Sequence, residues 1–231
     1  MELLKFNFAR LSFKASGGCA MKTYLKLALI SILFLCGCAG MKAGSDVAYG
    51  RRALLGGDNE MALGYFQTAL KSDPSYKYGT AYQQGLLSYV GRTEYLTGRL
   101  PQARETLQKA LAANKDEDIA RIYLGLTLIR TDNREAGLKD VETGMRGIHE
   151  WLDWVTETFR FSFGQYWDPA RAIRSAIQSD LAMMSGRDLD WQRVVADGEW
   201  VAMRMEEEGD KARNDEQRDR QRDSGGRDSP K

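Results

Sequence analysis

Apolar positions along much of the chain recur at intervals of three and four, the spacing that puts them on one face of an α-helix. The clearest run is Ile148, Trp151, Leu152, Val155, Phe159, Phe163 and Tyr166. After it, Asp168-Pro169 has the form of a helix cap and first turn. The next stripe is Ile173, Ile177, Leu181 and Met184, which stops near Gly186, and a last one carries Trp191, Val194, Val195, Ala202 and Met205. Beyond Glu206 apolar residues give out, so residues 207–231 are expected to be a disordered, mixed-charge tail. The chain has only 4 prolines, and the segments between them are rich in Ala, Leu, Glu, Arg, Gln and Met, which favour helix. Alternating Val/Ile/Thr runs are nearly absent. The expectation is an all-α protein.

Between residues 46 and 147 the pattern repeats. Gly50, Gly57, Ala62, Phe66, Ala69 and Pro74 form a first set, and Gly91, Gly98, Pro101, Ala103, Leu107 and Ala110 a second. Leu124-Gly125, Leu128, Gly137, Val141 and Gly144 form a third. Small residues let two antiparallel helices approach, and large ones fill the space between successive pairs. These residues resemble tetratricopeptide repeat units, whose 34-residue period separates Gly91 from Gly125. Gly50 to Gly91 is seven residues longer, close to two helical turns, so a helix lengthened around Tyr78 to Gln84 would keep the same face inward. The resemblance implies a short right-handed solenoid of helical hairpins over 46–147, with residues 148–206 as C-terminal helices packed on it. A generic helical bundle is the competing reading. The aromatic segment 151–167 either caps the last repeat or docks a partner or a membrane, and its mostly acidic polar positions favour the cap.

The amino terminus carries a different signal. Met21 to Lys26 is basic, Leu27 to Leu35 is apolar but well short of the roughly 20 residues that span a bilayer, and Cys36-Gly37-Cys38 follows. Leu35-Cys36-Gly37-Cys38 resembles the lipobox of bacterial lipoproteins, with Cys36 where Ala or Ser is usual. The resemblance implies a signal peptide at 21–37, lipid attachment at Cys38 and a linker over 38–45. Ala39 after that cysteine implies sorting to the periplasmic face of the outer membrane. A plain secretory signal that happens to contain cysteines is the alternative. Residues 1–20 fit no export signal, and Gly17-Gly18 is compatible with a ribosome-binding sequence just ahead of the Met21 codon, so Met21 rather than Met1 is the expected start and 1–20 an untranslated or irrelevant leader.

Charge and cysteine content narrow the functions. Beyond residue 37 there are 28 basic and 31 acidic residues, a balance of −3 that gives no general argument for nucleic-acid binding. The three cysteines are Cys19, Cys36 and Cys38, so a chain processed at Cys38 keeps one, and that one acylated; disulfide, zinc cluster and thiol nucleophile are not expected. His149 is the only histidine, which leaves little for a metal site or a Ser-His-Asp triad, and it reads as an ordinary helix residue. Glu117-Asp118 and Asp188/Asp190 suit helix starts, where carboxylates meet orphan N–H groups. No phosphate-cradling or dinucleotide glycine loop is present. No catalytic residue, metal or cofactor is expected.

The repeat resemblance places Arg51, Arg92, Tyr95, Ile122, Leu126 and Arg130 on the first helices of the hairpins, which in that family line a concave groove. Arginines beside aromatics at such a place would hold a carboxylate or an acidic extended peptide through bidentate hydrogen bonds. The expected function is that of a lipid-anchored envelope scaffold or adaptor for another protein or peptide. The alternative is a structural subunit or assembly factor of an envelope complex, contacting it through the C-terminal helices. An enzyme or small-ligand binder with a site beside His149 is the third reading.

Overall fold

The computed structural model describes residues 41–131, 133–186 and 189–225, with side chains to Arg222. They form helices α1 (41–55), α2 (Asn59–Ser72), α3 (Leu86–Leu96), α4 (Leu100–Ala113), α5 (Asp118–Arg130), α6 (Arg134–Thr158), α7 (Ala172–Met184) and α8 (Trp191–Gly225). A 3₁₀ turn spans Phe163–Tyr166, and a two-stranded antiparallel ladder pairs β1 (Lys77–Tyr78) with β2 (Gln84–Gly85). The protein is therefore mostly helical. The expected signal segment at 21–37, Cys38 and residues 226–231 lie outside the described residues.

The first six helices are three hairpins, and each has the same glycine seam. A Cβ on Gly50 would stand 2.7 Å from Phe66 Cε1, one on Gly91 2.5 Å from Leu107 Cγ, and one on Gly125 2.7 Å from Val141 Cγ2. Each glycine meets the large residue sixteen positions later, so the register of the two helices repeats through all three hairpins. Ala62, Ala103 and Gly137 also occupy one register. At the third hairpin this position is glycine too, and a Cβ there would lie 2.5 Å from the Gly125 carbonyl oxygen, so the backbones of α5 and α6 touch. The turns of the first two hairpins use Gly57 (φ 81°) and Gly98 (φ 74°), a left-handed conformation open to glycine at no steric cost. Burial follows: Val47, Leu54, Phe66 and Tyr89 form one core cluster, and Leu107, Ile122, Val141, Leu152, Ile177 and Val201 belong to a second.

Five boundaries differ from those the sequence suggests. The extra residues between the first two hairpins do not lengthen a helix around Tyr78 to Gln84; they form the β1–β2 ladder, where Gly79 (φ 105°) turns the chain between tyrosines that favour extended backbone. Residues 41–45 are not linker but the start of α1, because Ala43 and Val47 are buried. No break falls at 147–148: α6 continues through it as one 25-residue helix. Pro169 lies before α7 rather than in its first turn and Arg171, not Asp168, holds the N-cap position, although the Asp168 carboxylate reaches the first turn and accepts from the N–H groups of Ile173 and Arg174, both at 3.1 Å. Finally, α8 runs past Glu206 to Gly225, where a disordered tail was expected, because Glu206, Glu208 and Ala212 are buried against the body and the exposed face carries ion pairs at helical spacing.

Candidate functional site

The six residues assigned to the groove do sit on the first helices: Arg51 on α1, Arg92 and Tyr95 on α3, Ile122, Leu126 and Arg130 on α5. Their face is not open. Arg92 is 0% exposed, Arg51 6%, and Tyr95, Ile122 and Leu126 are fully buried; Arg130 alone remains exposed, its guanidinium 4.9 Å from the Tyr95 ring centre. The chain's own α8 covers them. It approaches closely at Gly198, where a Cβ would stand 3.0 Å from Leu126 Cδ2 and 3.5 Å from Ile122 Cγ2. This corrects the open trough expected from the sequence. A row of cations and phenols beside apolar surface is costly to leave bare, and an amphipathic helix bearing carboxylates satisfies both parts.

The chemistry inferred for these residues is nonetheless present, with Glu206 as the carboxylate. Glu206 is 2% exposed and gathers side chains from three elements. Its Oε1 accepts from Arg51 Nε and, at 2.9 Å, from the Tyr89 hydroxyl. Its Oε2 accepts from Gln84 Nε2 at 3.0 Å and Arg92 Nη1 at 3.3 Å. Arg51 also holds Asp210 bidentately, both contacts at 3.1 Å, donates to the Tyr78 hydroxyl at 2.7 Å, and stacks over the Tyr78 ring. About two turns earlier on α8, Glu199 Oε1 accepts from the Tyr95 hydroxyl at 2.7 Å. Burial alone would raise the Glu206 carboxyl; the Arg92 and Arg51 charges, with hydrogen bonds from Arg51 and Gln84, outweigh it and hold Glu206 below the usual carboxylate range. Removing one member of such a buried set leaves a charge uncompensated, so the set fixes the register of α8 on the hairpins.

One further polar contact fastens α8 from its other side, with Arg174 bracing the residue that makes it. Asp168 N donates to Glu208 Oε1 at 2.7 Å, while Arg174 donates through Nε to Asp168 Oδ2 at 3.1 Å and through Nη1 to Asp153 at 3.1 Å. Between α7 and α8, Asp180 faces Asp197 and Arg193. Burial, then the hydrogen bond to Asp197 and its charge, push the Asp180 carboxyl up to about 7 against the pull of Arg193.

The remaining candidates take ordinary places. His149 lies between Gln178 (3.0 Å) and Asp153 (3.3 Å) on a helix surface. Glu117 is the N-cap residue of α5, and its carboxylate reaches α3, accepting from Gly85 N at 2.9 Å and from the Ser88 hydroxyl at 2.5 Å. Asp190 caps the start of α8 through Gln192 N and Arg193 N; Asp188 lies outside the described residues. Among the described residues no group of three His, Cys, Asp or Glu side chains is placed to hold a metal, and no helix is long and apolar enough to cross a membrane.

The sequence reading missed Glu206, Glu199, Tyr89 and Gln84. A signal for the first two was there: Glu199 and Glu206 lie four residues after Val195 and Ala202, on the apolar stripe of the last helix instead of opposite it. Surface that does remain open adjoins α8. A cleft of about 460 Å³ has Ala81, Phe163, Trp167 and Ala212 in its wall and Arg213, Glu216 and Arg220 along its α8 side.

Comparison of the chain with family models, curated proteins and solved structures finds no match.

Proposed function

We propose that this chain is a lipid-anchored protein of the bacterial cell envelope that acts as a protein–protein interaction scaffold, its three hairpins being tetratricopeptide-like units. The observation that carries the reading is the clamp on α8: the first helices present Arg51, Arg92, Tyr89 and Tyr95 so that they seize a helix by its carboxylates. In this chain that helix is its own, which rigidifies the scaffold and moves the partner surface outward, to the cleft beside α8. An apolar wall with alternating charge on its rim suits an amphipathic segment of another protein. The anchor rests on Leu35-Cys36-Gly37-Cys38.

A photo-crosslinking residue placed at Gln217, in the cleft, is expected to capture one discrete partner in intact envelopes, and Arg213→Glu/Arg220→Glu to abolish the adduct. An equal yield from an exposed position away from the cleft, such as Glu135, would remove the cleft from the account. Loss of fatty-acid labelling in Cys38→Ser tests the anchor; unlabelled wild-type protein would end that part.

The covered groove also favours the second reading, a structural subunit or assembly factor of an envelope complex that makes its contact through the C-terminal helices. Purification without the crosslink separates the two: a partner that leaves when detergent is added is an adaptor's client, and one that stays in a fixed ratio is a fellow subunit.

A further inference from the structure

The first hairpin exposes a face that the other two bury. Counting from the seam glycines Gly50, Gly91 and Gly125, residues Ser45, Ala48, Tyr49 and Arg52 of α1 correspond to Leu86, Tyr89, Val90 and Thr93 of α3. In α5 the same positions are Ala120, Tyr123, Leu124 and Thr127. All of those on α3 and α5 are buried, whereas the four on α1 are exposed. The cover in α3 and α5 is the hairpin before: Tyr89 stacks on Phe66 of α2 at 4.7 Å, and Tyr123 meets Tyr95 of α3 at 5.3 Å. Among the described residues no hairpin stands before α1.

This vacant face is not a solvated one. Four of the seven large apolar side chains left exposed among the described residues, Met41, Tyr49, Leu55 and Met61, belong to the first hairpin. Tyr49 of α1 and Tyr65 of α2 lie 5.5 Å apart, and Met61 is one helical turn from Tyr65. Along α1, Met41, Ser45, Ala48, Arg52 and Leu55 follow at intervals of four, three, four and three, the spacing by which one helix packs along another. Short side chains at the middle of that stripe admit a close neighbour, and the apolar ends, about 21 Å apart at 1.5 Å per residue, can grip it.

We infer that this face docks on the same face of a second copy of the chain, α1 against α1, antiparallel about a two-fold axis at Ala48. The stripe is complementary to itself in that arrangement. Met41 falls opposite Leu55 of the second copy, Ala48 meets Ala48, and Arg52 comes beside Ser45 and Asp46, so apolar ends meet apolar ends and the guanidinium finds a carboxylate. The far end of the stack offers no rival surface, because α7 and α8 pack on α6. Pairing face to face therefore closes the assembly at two. Two helices, each about 10 Å across, give roughly 400 Å² of footprint over that length, short of the about 800 Å² per partner of a standard interface. The dimer is accordingly weak and depends on concentration.

The test is sedimentation velocity of the full chain in non-ionic detergent, with Ala48→Glu and Ala48→Lys as variants. Each variant sets like charges against each other on the axis, and both residues suit an exposed helix position, so circular dichroism should match wild type. Wild type is expected to pass from one copy to two between roughly 1 and 100 µM, and each variant alone to stay monomeric. A 1:1 mixture of the two variants is expected to recover the dimer, because Glu then faces Lys. Wild type that stays monomeric at about 100 µM overturns the inference. Variants that pair as wild type does also overturn it, by placing association elsewhere in the chain. A mixture that stays monomeric rejects the two-fold pairing and leaves the face to a helix of another protein.

Discussion

The glycine seams within the hairpins and the clamp on α8 hold the molecule in opposite ways. The seams are apolar and local: Gly50, Gly91 and Gly125 each meet a partner sixteen residues on, through van der Waals contact alone. The clamp is polar and remote, joining Arg51 to Glu206 across 155 positions and Arg92 to Glu206 across 114. Seams tolerate changes of pH and salt, because nothing in them ionises. A buried ion set is exacting, because removing one member strips the others of a partner that water cannot replace. Stacking can thus form hairpin by hairpin, whereas α8 has one register.

The largest effect should come from the clamp. Glu206→Ala leaves the buried Arg92 guanidinium without a carboxylate and Arg51 with Asp210 alone, and is expected to cost about 3–5 kcal/mol in denaturant unfolding; a cost under about 1 kcal/mol would mean that α8 is not held there. Next, Gly125→Val drives a side chain into Val141 and the Gly137 carbonyl and should cost about 1–3 kcal/mol or more. That loss should be the same at every pH, and a pH-dependent loss would blur the contrast between seam and clamp.

Titration sharpens it further, since two carboxyls of α8's surroundings respond with opposite sign. Glu206 has a lowered folded pKa, so its contribution is present above the unfolded carboxylate pKa and disappears as pH falls through the folded value. Asp180 is raised to about 7, so the proton it keeps in the folded state stabilises fully below about pH 4, and that contribution is lost as pH rises towards 7. The melting temperature of wild type is expected to rise as pH is lowered from 7.5 to about 5, and Asp180→Asn to flatten the rise. An unchanged slope in the variant would discount the Asp180–Asp197 pair. The smallest effect belongs to exposed Phe161: Phe161→Asp should change stability by no more than about 0.5 kcal/mol, and a greater loss would place Phe161 in the core.

The contrast also explains what the residues disclose before folding. Seams are legible because each is written locally, as a glycine and a large residue sixteen positions on, three times over, with a turn glycine between them in the first two hairpins. The inward half of 151–167 is legible for the same reason, as a stripe of period three to four. Arg51 and Arg92 were legible as carboxylate ligands, since guanidinium beside phenol has few other uses. What could not be read was that the carboxylate is Glu206, because pairing across more than a hundred residues leaves no local pattern. The boundary at 206 was misplaced for a related reason: hydropathy falls there, but helix α8 continues on ion pairs and on Glu208 and Ala212, which bury against the body. The β1–β2 ladder was hidden because its seven extra residues fit two helical turns as well as they fit a turn at Gly79.

The most direct test of the central claim, that the face of the first helices is occupied by the chain's own α8, is a double-mutant cycle between Arg51→Met and Glu206→Leu read by denaturant unfolding. The clamp predicts strong coupling, with the double variant more stable than the two single losses imply by about 1–3 kcal/mol. Losses that simply add, within about 0.5 kcal/mol, would contradict it and return Arg51 to an open groove.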